Sequence, residues 1–133
     1  MNAMTKQELC NAAVEMLKMA YVPYSNFPVG AALECDDGTV FTGCNVENAG
    51  YSPTNCAERT AVFKAVSEGH RKFTRIAIAA TKEQFCPPCG VCRQVLQEFA
   101  PDLEVILVNN KGETMELTLK ELLPYGFDSD NLK

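Results

Sequence analysis

The order of hydrophobic patterns constrains this chain more than any other feature. After one helical pattern and a pair of strand-like runs, strands and helices alternate toward the C-terminus. Such alternation implies a partly parallel sheet with helices on its faces, in one α/β domain. The first helix runs from Thr5 to about Tyr21. It carries a Thr5/Glu8 capping-box pair and places Leu9, Ala12, Ala13, Met16, Leu17 and Ala20 on one face. Pro23 ends it, because the residue before a proline avoids helical dihedrals. Val29 to Cys35 and Thr39 to Val46 flank Asp36-Asp37-Gly38 and read as a hairpin. Asn45 to Thr54 is rich in turn formers and reads as a loop. A second helix begins near Asn55 or Cys56, with Ala57, Ala61 and Ala65 forming a small-residue face, and stops at Gly69. Then come a strand (Arg75 to Thr81), a helix (Cys89 to Phe99), two strands (Leu103 to Val108, Thr114 to Leu117) and a last short helix (Thr118 to Leu123). A single domain is expected over 1–133, with a polar tail from about 128 to 133 that frays.

Composition narrows the function. A length of 133 residues fits one core, and 47% hydrophobic with 22% charged residues is ordinary for a globular chain. The net charge of −5 argues against a protein that holds nucleic acid by bulk electrostatics. No apolar run approaches the ~20 residues of a membrane span. Met1-Asn2-Ala3-Met4-Thr5 lacks a basic region followed by an apolar stretch, so no secretory signal and a cytoplasmic location are expected. Seven cysteines, at 10, 35, 44, 56, 86, 89 and 92, are an odd number. A disulfide scaffold is not expected, and the cluster from Cys86 to Cys92 points to metal or redox chemistry.

Two segments carry that chemistry: Cys56-Ala57-Glu58-Arg59 and Pro88-Cys89-Gly90-Val91-Cys92-Arg93-Gln94. Each starts a predicted helix with a cysteine, where the helix terminus favours thiolate. Cys89 and Cys92 can bind one metal ion, and Cys56 can be a third ligand. Three protein ligands leave one tetrahedral position of zinc open, the mark of a catalytic site. Glu58 can converge on the same point off the helix end and move protons there. Zinc with three thiolates carries a net negative charge, and Arg59 is the cation placed to offset it. The other cysteines read as small buried hydrophobes, and His70, behind Gly69, as an exposed or capping residue. Cys86-Pro87-Pro88-Cys89 also has dithiol spacing, which keeps a redox role or an alternative ligand in play for Cys86.

Taken together, these segments resemble the cytidine deaminase family, the free-nucleoside zinc hydrolases of pyrimidine salvage. The likeness extends to Tyr24-Ser25-x-Phe27-x-Val29-Gly30-Ala31-Ala32, to Gly43-x-Asn45-Val46-Glu47-Asn48-Ala49-x-Tyr51 and to Leu122-Leu123-Pro124-x-x-Phe127. It implies a three-layer α/β/α fold around a mixed, mostly five-stranded sheet. It implies one Zn2+ per subunit on Cys56, Cys89 and Cys92, with Glu58 as proton shuttle and Arg59 bonded to the thiolates. Asn45 and Glu47 would bind ribose hydroxyl groups, Phe27 would pack on sugar and base, and the Ala57 backbone would meet the base. Gln94 would support the site from behind. The resemblance also implies a homotetramer with shared active sites, to which Tyr51 and Phe127 reach from neighbouring subunits. The expected reaction is hydrolytic deamination of cytidine and deoxycytidine, with no nucleic-acid or membrane partner. Two alternatives stand beside it: deamination of a related pyrimidine nucleoside such as an antibiotic, and a non-catalytic structural zinc or redox module.

Overall fold

The computed structural model describes residues 3–133. The leader reading at Met1 and Asn2 therefore lies outside the described residues. Helix α1 (Lys6–Glu15) starts on the expected capping box, with Thr5 Oγ1 accepting from the Glu8 amide and the Glu8 carboxylate from the Thr5 amide. A 3-10 turn, Met16–Met19, extends it. Strands β1 (Val29–Cys35) and β2 (Val40–Cys44) form the hairpin, antiparallel with Ala32 opposite Thr42. Next come α2 (Ala57–Ser67), β3 (Phe73–Ala80), α3 (Gly90–Phe99), β4 (Glu104–Val108), β5 (Thr114–Thr118) and the single turn α4 (Leu119–Leu122).

The sheet order is β2-β1-β3-β4-β5. Only β3 and β4 pair in parallel, across the α3 crossover; the other neighbours are antiparallel. The fold is a three-layer α/β/α sandwich around a mixed five-stranded sheet, as expected. Strand β1, in the sheet interior, is buried at every position, and its side chains alternate between two cores. Ala32 joins Leu9, Ala13, Ala77 and Ile106 under α1. Ala31 and Leu33 join Ile76, Ile78, Val105, Leu107 and the inner faces of α2 and α3.

Two contacts place α2. Its Ala57, Ala61 and Ala65 are fully buried, and Gly43 of β2 lies beneath them. A Cβ on Gly43 would fall 2.6 Å from the Ala61 amide nitrogen and closer still to the Ala57 carbonyl. The helix sits against the strand because neither surface has bulk. At the other end the chain leaves α2 through a Schellman turn. Gly69, at φ +93°, donates to the Val66 carbonyl and His70 to the Ala65 carbonyl.

Residues 129–132 form a 3-10 turn capped by Asp128, whose carboxylate accepts from the Asp130 amide. The Asn131 side chain bonds back to the Asp128 amide. The local polar side chains that suggested fraying supply the turn's own hydrogen bonds.

Candidate active site

Two helix starts and two loops build the site. Cys56 is the N-cap of α2, and Cys89 is the N-cap of α3, with its sulfur accepting from the Cys92 amide at 3.5 Å. Both residues are extended, which aims their side chains past the helix ends. The Cys56 and Cys89 sulfurs lie 3.7 Å apart, and the sulfurs of Cys56, Cys89 and Cys92 all lie within 4.8 Å of one another. Tetrahedral zinc, with bonds of ~2.3 Å to sulfur, places two thiolates about 3.8 Å apart. The three cysteines therefore fit a zinc ion, as expected.

The electrostatics agree with that assignment. A hydrogen bond from Cys92, with Arg59 adding to it, holds the Cys56 thiol down at about 5. The Cys92 thiol is pushed up by the same pairing with Cys56 and by burial. Arg59 Nη2 donates to the Cys56 sulfur at 3.3 Å, so the expected cation stands against the thiolate. Its Nε is buried without a partner among the described residues. Glu58, only 4% exposed, sits in the first turn of α2. Burial pushes its carboxyl up to about 7, and the Cys56 charge pushes in the same direction. A carboxyl held there changes protonation state near neutral pH, as a proton carrier must.

A cavity of about 240 Å³ opens beside these groups. Cys56, Ala57, Glu58 and Cys89 line one end, and Phe27, Asn45 and Glu47 line the rest. Seven expected site residues thus share one pocket. Sequence reasoning gave no role to three other lining residues, Ser25, Val29 and Pro87, and kept a redox or alternative-ligand role in play for the fourth, Cys86. Ser25 and Val29 stood inside the matched Tyr24–Ala32 segment, so a signal for them was present. Cys86 is held protonated, its thiol pushed up to about 11 by burial and then by Glu58. That protonation state does not suit thiol exchange.

The remaining expected residues lie apart from the pocket. Tyr51 is 78% exposed with φ +60°, and it lines a neighbouring depression of about 410 Å³ with Tyr24, Glu47 and Asn48. Phe127 is also exposed, and its carbonyl accepts from Gln94 Nε2 at 2.8 Å. Gln94 thus ties the C-terminal segment to α3. Arg93 does similar work unforeseen, donating to the carbonyls of Pro88 (2.7 Å) and Leu122 (2.6 Å). It anchors the turn that presents Cys89.

A second group of metal-capable side chains, Cys35, Asp37 and His70, gathers at the β1–β2 turn. There His70 Nδ1 is 3.8 Å from Asp37 Oδ2, and the ring packs edge-on against Phe41. The Cys35 thiol is buried and pushed up to about 11 by burial, then by the nearby acids. His70 caps α2 through its amide, as expected, and its ring is part-buried and packed where exposure was the other expectation.

A cysteine triad beside a buried, near-neutral carboxyl in a small pocket defines a metal-assisted hydrolytic site. Comparison with known proteins is specific. Residues 3–108 match the profile of the cytidine and deoxycytidylate deaminase zinc-binding region. The chain is 50% identical over 130 residues to cytidine deaminase of Sporosarcina psychrophila, covering 97% of this chain and 96% of that protein. It is also 50% identical to cytidine deaminase of Halalkalibacterium halodurans, over 97% and 98% of the two chains. The crystal structure of cytidine deaminase from Burkholderia pseudomallei superposes with a TM-score of 0.90 at 49% identity, over 93% of this chain and 100% of that one. The chain belongs to the cytidine and deoxycytidylate deaminase family.

Proposed function

We propose that this chain, as one catalytic domain over 1–133, hydrolyses cytidine and deoxycytidine to uridine and deoxyuridine, releasing ammonia. The observation that carries the proposal is Glu58: a buried carboxyl, near-neutral in affinity for protons, lining the same pocket as Cys56 and Cys89. Cys56, Cys89 and Cys92 hold one zinc ion in this reading. When bound, zinc supplies Lewis acidity and a water activated for attack at neutral pH.

The chain's own residues supply the rest. Glu58 takes a proton from the attacking water and delivers it to N3 of the pyrimidine, which makes C4 more electrophilic. It then carries a proton to the departing amino group, so that ammonia leaves and the 4-oxo product remains. Positioned proton transfer of this kind contributes ~10²–10⁴ in rate. Arg59 offsets the negative charge of the thiolates. Phe27 packs on sugar and base, the Ala57 backbone meets the base, and Asn45 and Glu47 face the sugar. Holding the ring against the reacting groups adds a proximity contribution.

A free nucleoside suits the pocket better than its phosphate. No lysine or arginine lines the cavity among the described residues, and the sugar end carries the Glu47 carboxylate. Glu47 sits below the usual carboxylate range, chiefly because Ser25 hydrogen-bonds it. A 5′-phosphate would meet like charge there. The finer expectations follow the family resemblance: a cytoplasmic enzyme of pyrimidine salvage, and a homotetramer in which Tyr51 and Phe127 of one subunit reach a neighbour's site. The exposed aromatic surfaces of both residues support that arrangement.

The test is the fall in ultraviolet absorbance when zinc-loaded protein meets cytidine, deoxycytidine or cytidine 5′-monophosphate. Turnover of both nucleosides, with the nucleotide left intact, is expected. No turnover of cytidine overturns the proposal. Light scattering on the eluting protein should give four chains, and a monomer would remove Tyr51 and Phe127 from the site.

A further inference from the structure

We infer that Ser25 is a positioning residue for substrate binding: it sets the Glu47 carboxylate and the Phe27 wall in register through one hydroxyl group. The inference rests on the proposed deaminase reading, which gives Glu47 and Phe27 their ligand.

The geometry is specific. Ser25 Oγ donates to Glu47 Oε2. The same oxygen accepts from the Phe27 amide at 3.1 Å. Glu47 Oε1 accepts from the backbone amides of Tyr24 (2.9 Å) and Ser25 (3.1 Å). One serine therefore links the acid at the sugar end of the cavity to the aromatic wall, and all three residues line that cavity. Asn26 between them holds φ +59°, the left-handed turn that folds the Phe27 amide back onto the Ser25 hydroxyl. Asn45 braces the other side, its Oδ1 accepting from the Val29 amide (2.9 Å) and its Nδ2 donating to the Phe27 carbonyl (2.8 Å).

This arrangement bears on recognition. An ionised carboxylate offers about four acceptor positions. Tyr24 and Ser25 occupy three on Glu47, leaving one for a sugar hydroxyl. A carboxylate limited to one hydroxyl tolerates loss of the other, which suits a site that takes both cytidine and deoxycytidine. Without the Ser25 hydroxyl, Glu47 Oε2 loses its protein partner and rotates more freely, so the sugar must order it on binding.

The experiment compares native protein with Ser25→Ala and Ser25→Thr, with zinc content and melting temperature recorded for each. Steady-state constants are measured for cytidine and for 2′,3′-dideoxycytidine, which lacks the hydroxyl groups Glu47 can read. Ser25→Ala should raise KM for cytidine roughly tenfold, with kcat within about twofold, and leave KM for the dideoxy analogue within about twofold. Ser25→Thr should restore most of the loss. In a Glu47→Gln background, Ser25→Ala should add little. An unchanged KM, an equal rise for both nucleosides, or additive effects with Glu47→Gln would each overturn the inference while leaving the proposed reaction intact. If Ser25→Ala loses zinc or fails to fold, the Ser25→Thr constants decide: a cytidine KM as poor as that of Glu47→Gln overturns it, and near-native selectivity upholds it. A native protein inert toward cytidine overturns the proposed reaction and this inference with it.

Discussion

The sulfurs of Cys56 and Cys89 lie 3.7 Å apart although 33 positions separate the two residues in the chain. Each is the N-cap of its helix, α2 and α3, and the sheet brings the two helix starts to one point. That separation matches two thiolates sharing a tetrahedral ion. Cys89→Ala should therefore reduce bound zinc from about one ion per chain to a small fraction and abolish turnover. Cys44→Ala, in β2 away from the triad, should leave both near native. Metal analysis after gel filtration reads the difference.

Arg59 donates to the Cys56 sulfur, and its Nε is buried with no partner among the described residues. Supporting contacts to metal ligands are typically worth 10–100-fold in affinity or activity. Arg59→Gln should lower turnover or zinc affinity by roughly 10–100-fold, while circular dichroism remains native. Competition against a zinc-binding dye measures the affinity. Native affinity together with native turnover would remove Arg59 from the site.

The close seat of α2 on β2 makes Gly43 sensitive. A methyl group there collides with backbone at Ala57 and Ala61, which only movement of the helix can relieve. Gly43→Ala should destabilise by about 1–3 kcal/mol and, by shifting Cys56 and Glu58, also depress activity. Gly90, adjacent to Cys89, has nothing among the described residues within 4 Å of its Cβ position, so Gly90→Ala should be tolerated. Denaturant melts of the two variants make the comparison.

Glu34 is buried in β1, where its carboxylate takes a fork of hydrogen bonds from Arg75 at 2.8 and 2.5 Å, plus one from Thr74 at 2.7 Å. The Arg75 bonds, with help from Thr74, hold its acid below the ordinary value of 4.5 in the folded chain. Between the folded and unfolded values the unfolded chain binds more protons, so stability rises with pH there. The pair's contribution is complete above the ordinary value of 4.5 and is lost as pH falls through the lower folded value. Glu34→Gln should destabilise at neutral pH, and its loss of stability on acidification should be shallower than that of the native protein. Urea melts across pH 3–7 test this.

Much of this structure was legible in the sequence because local chemistry dictates it. The Thr5/Glu8 and Thr118/Glu121 capping boxes, the Asp36-Asp37-Gly38 turn and the Gly69 stop all form. The cysteine triad was legible because its spacing and its helix starts follow from backbone physics. What sequence periodicity could not supply depends on contacts between distant segments. The antiparallel pairing of β1 with β3 joins the hairpin to the sheet and leaves β2 at its edge, and no residue pattern announces it. The bonds of Asn45 and Glu47 to the Tyr24–Val29 segment exist only once two loops meet. The approach of His70 to Cys35 and Asp37 likewise depends on the Schellman turn that ends α2. In the tail, polarity and local structure go together: residues 129–133 are exposed, and Asp128 and Asn131 cap the turn they form.

The most direct test of the central claim is turnover of cytidine by Glu58→Gln, measured with zinc content on the same sample. The substitution keeps the shape of the side chain and removes the titrating proton. About one zinc per chain and turnover reduced by at least ~10²-fold are expected. Near-native turnover with zinc retained would contradict that claim and leave the pocket without its proton carrier.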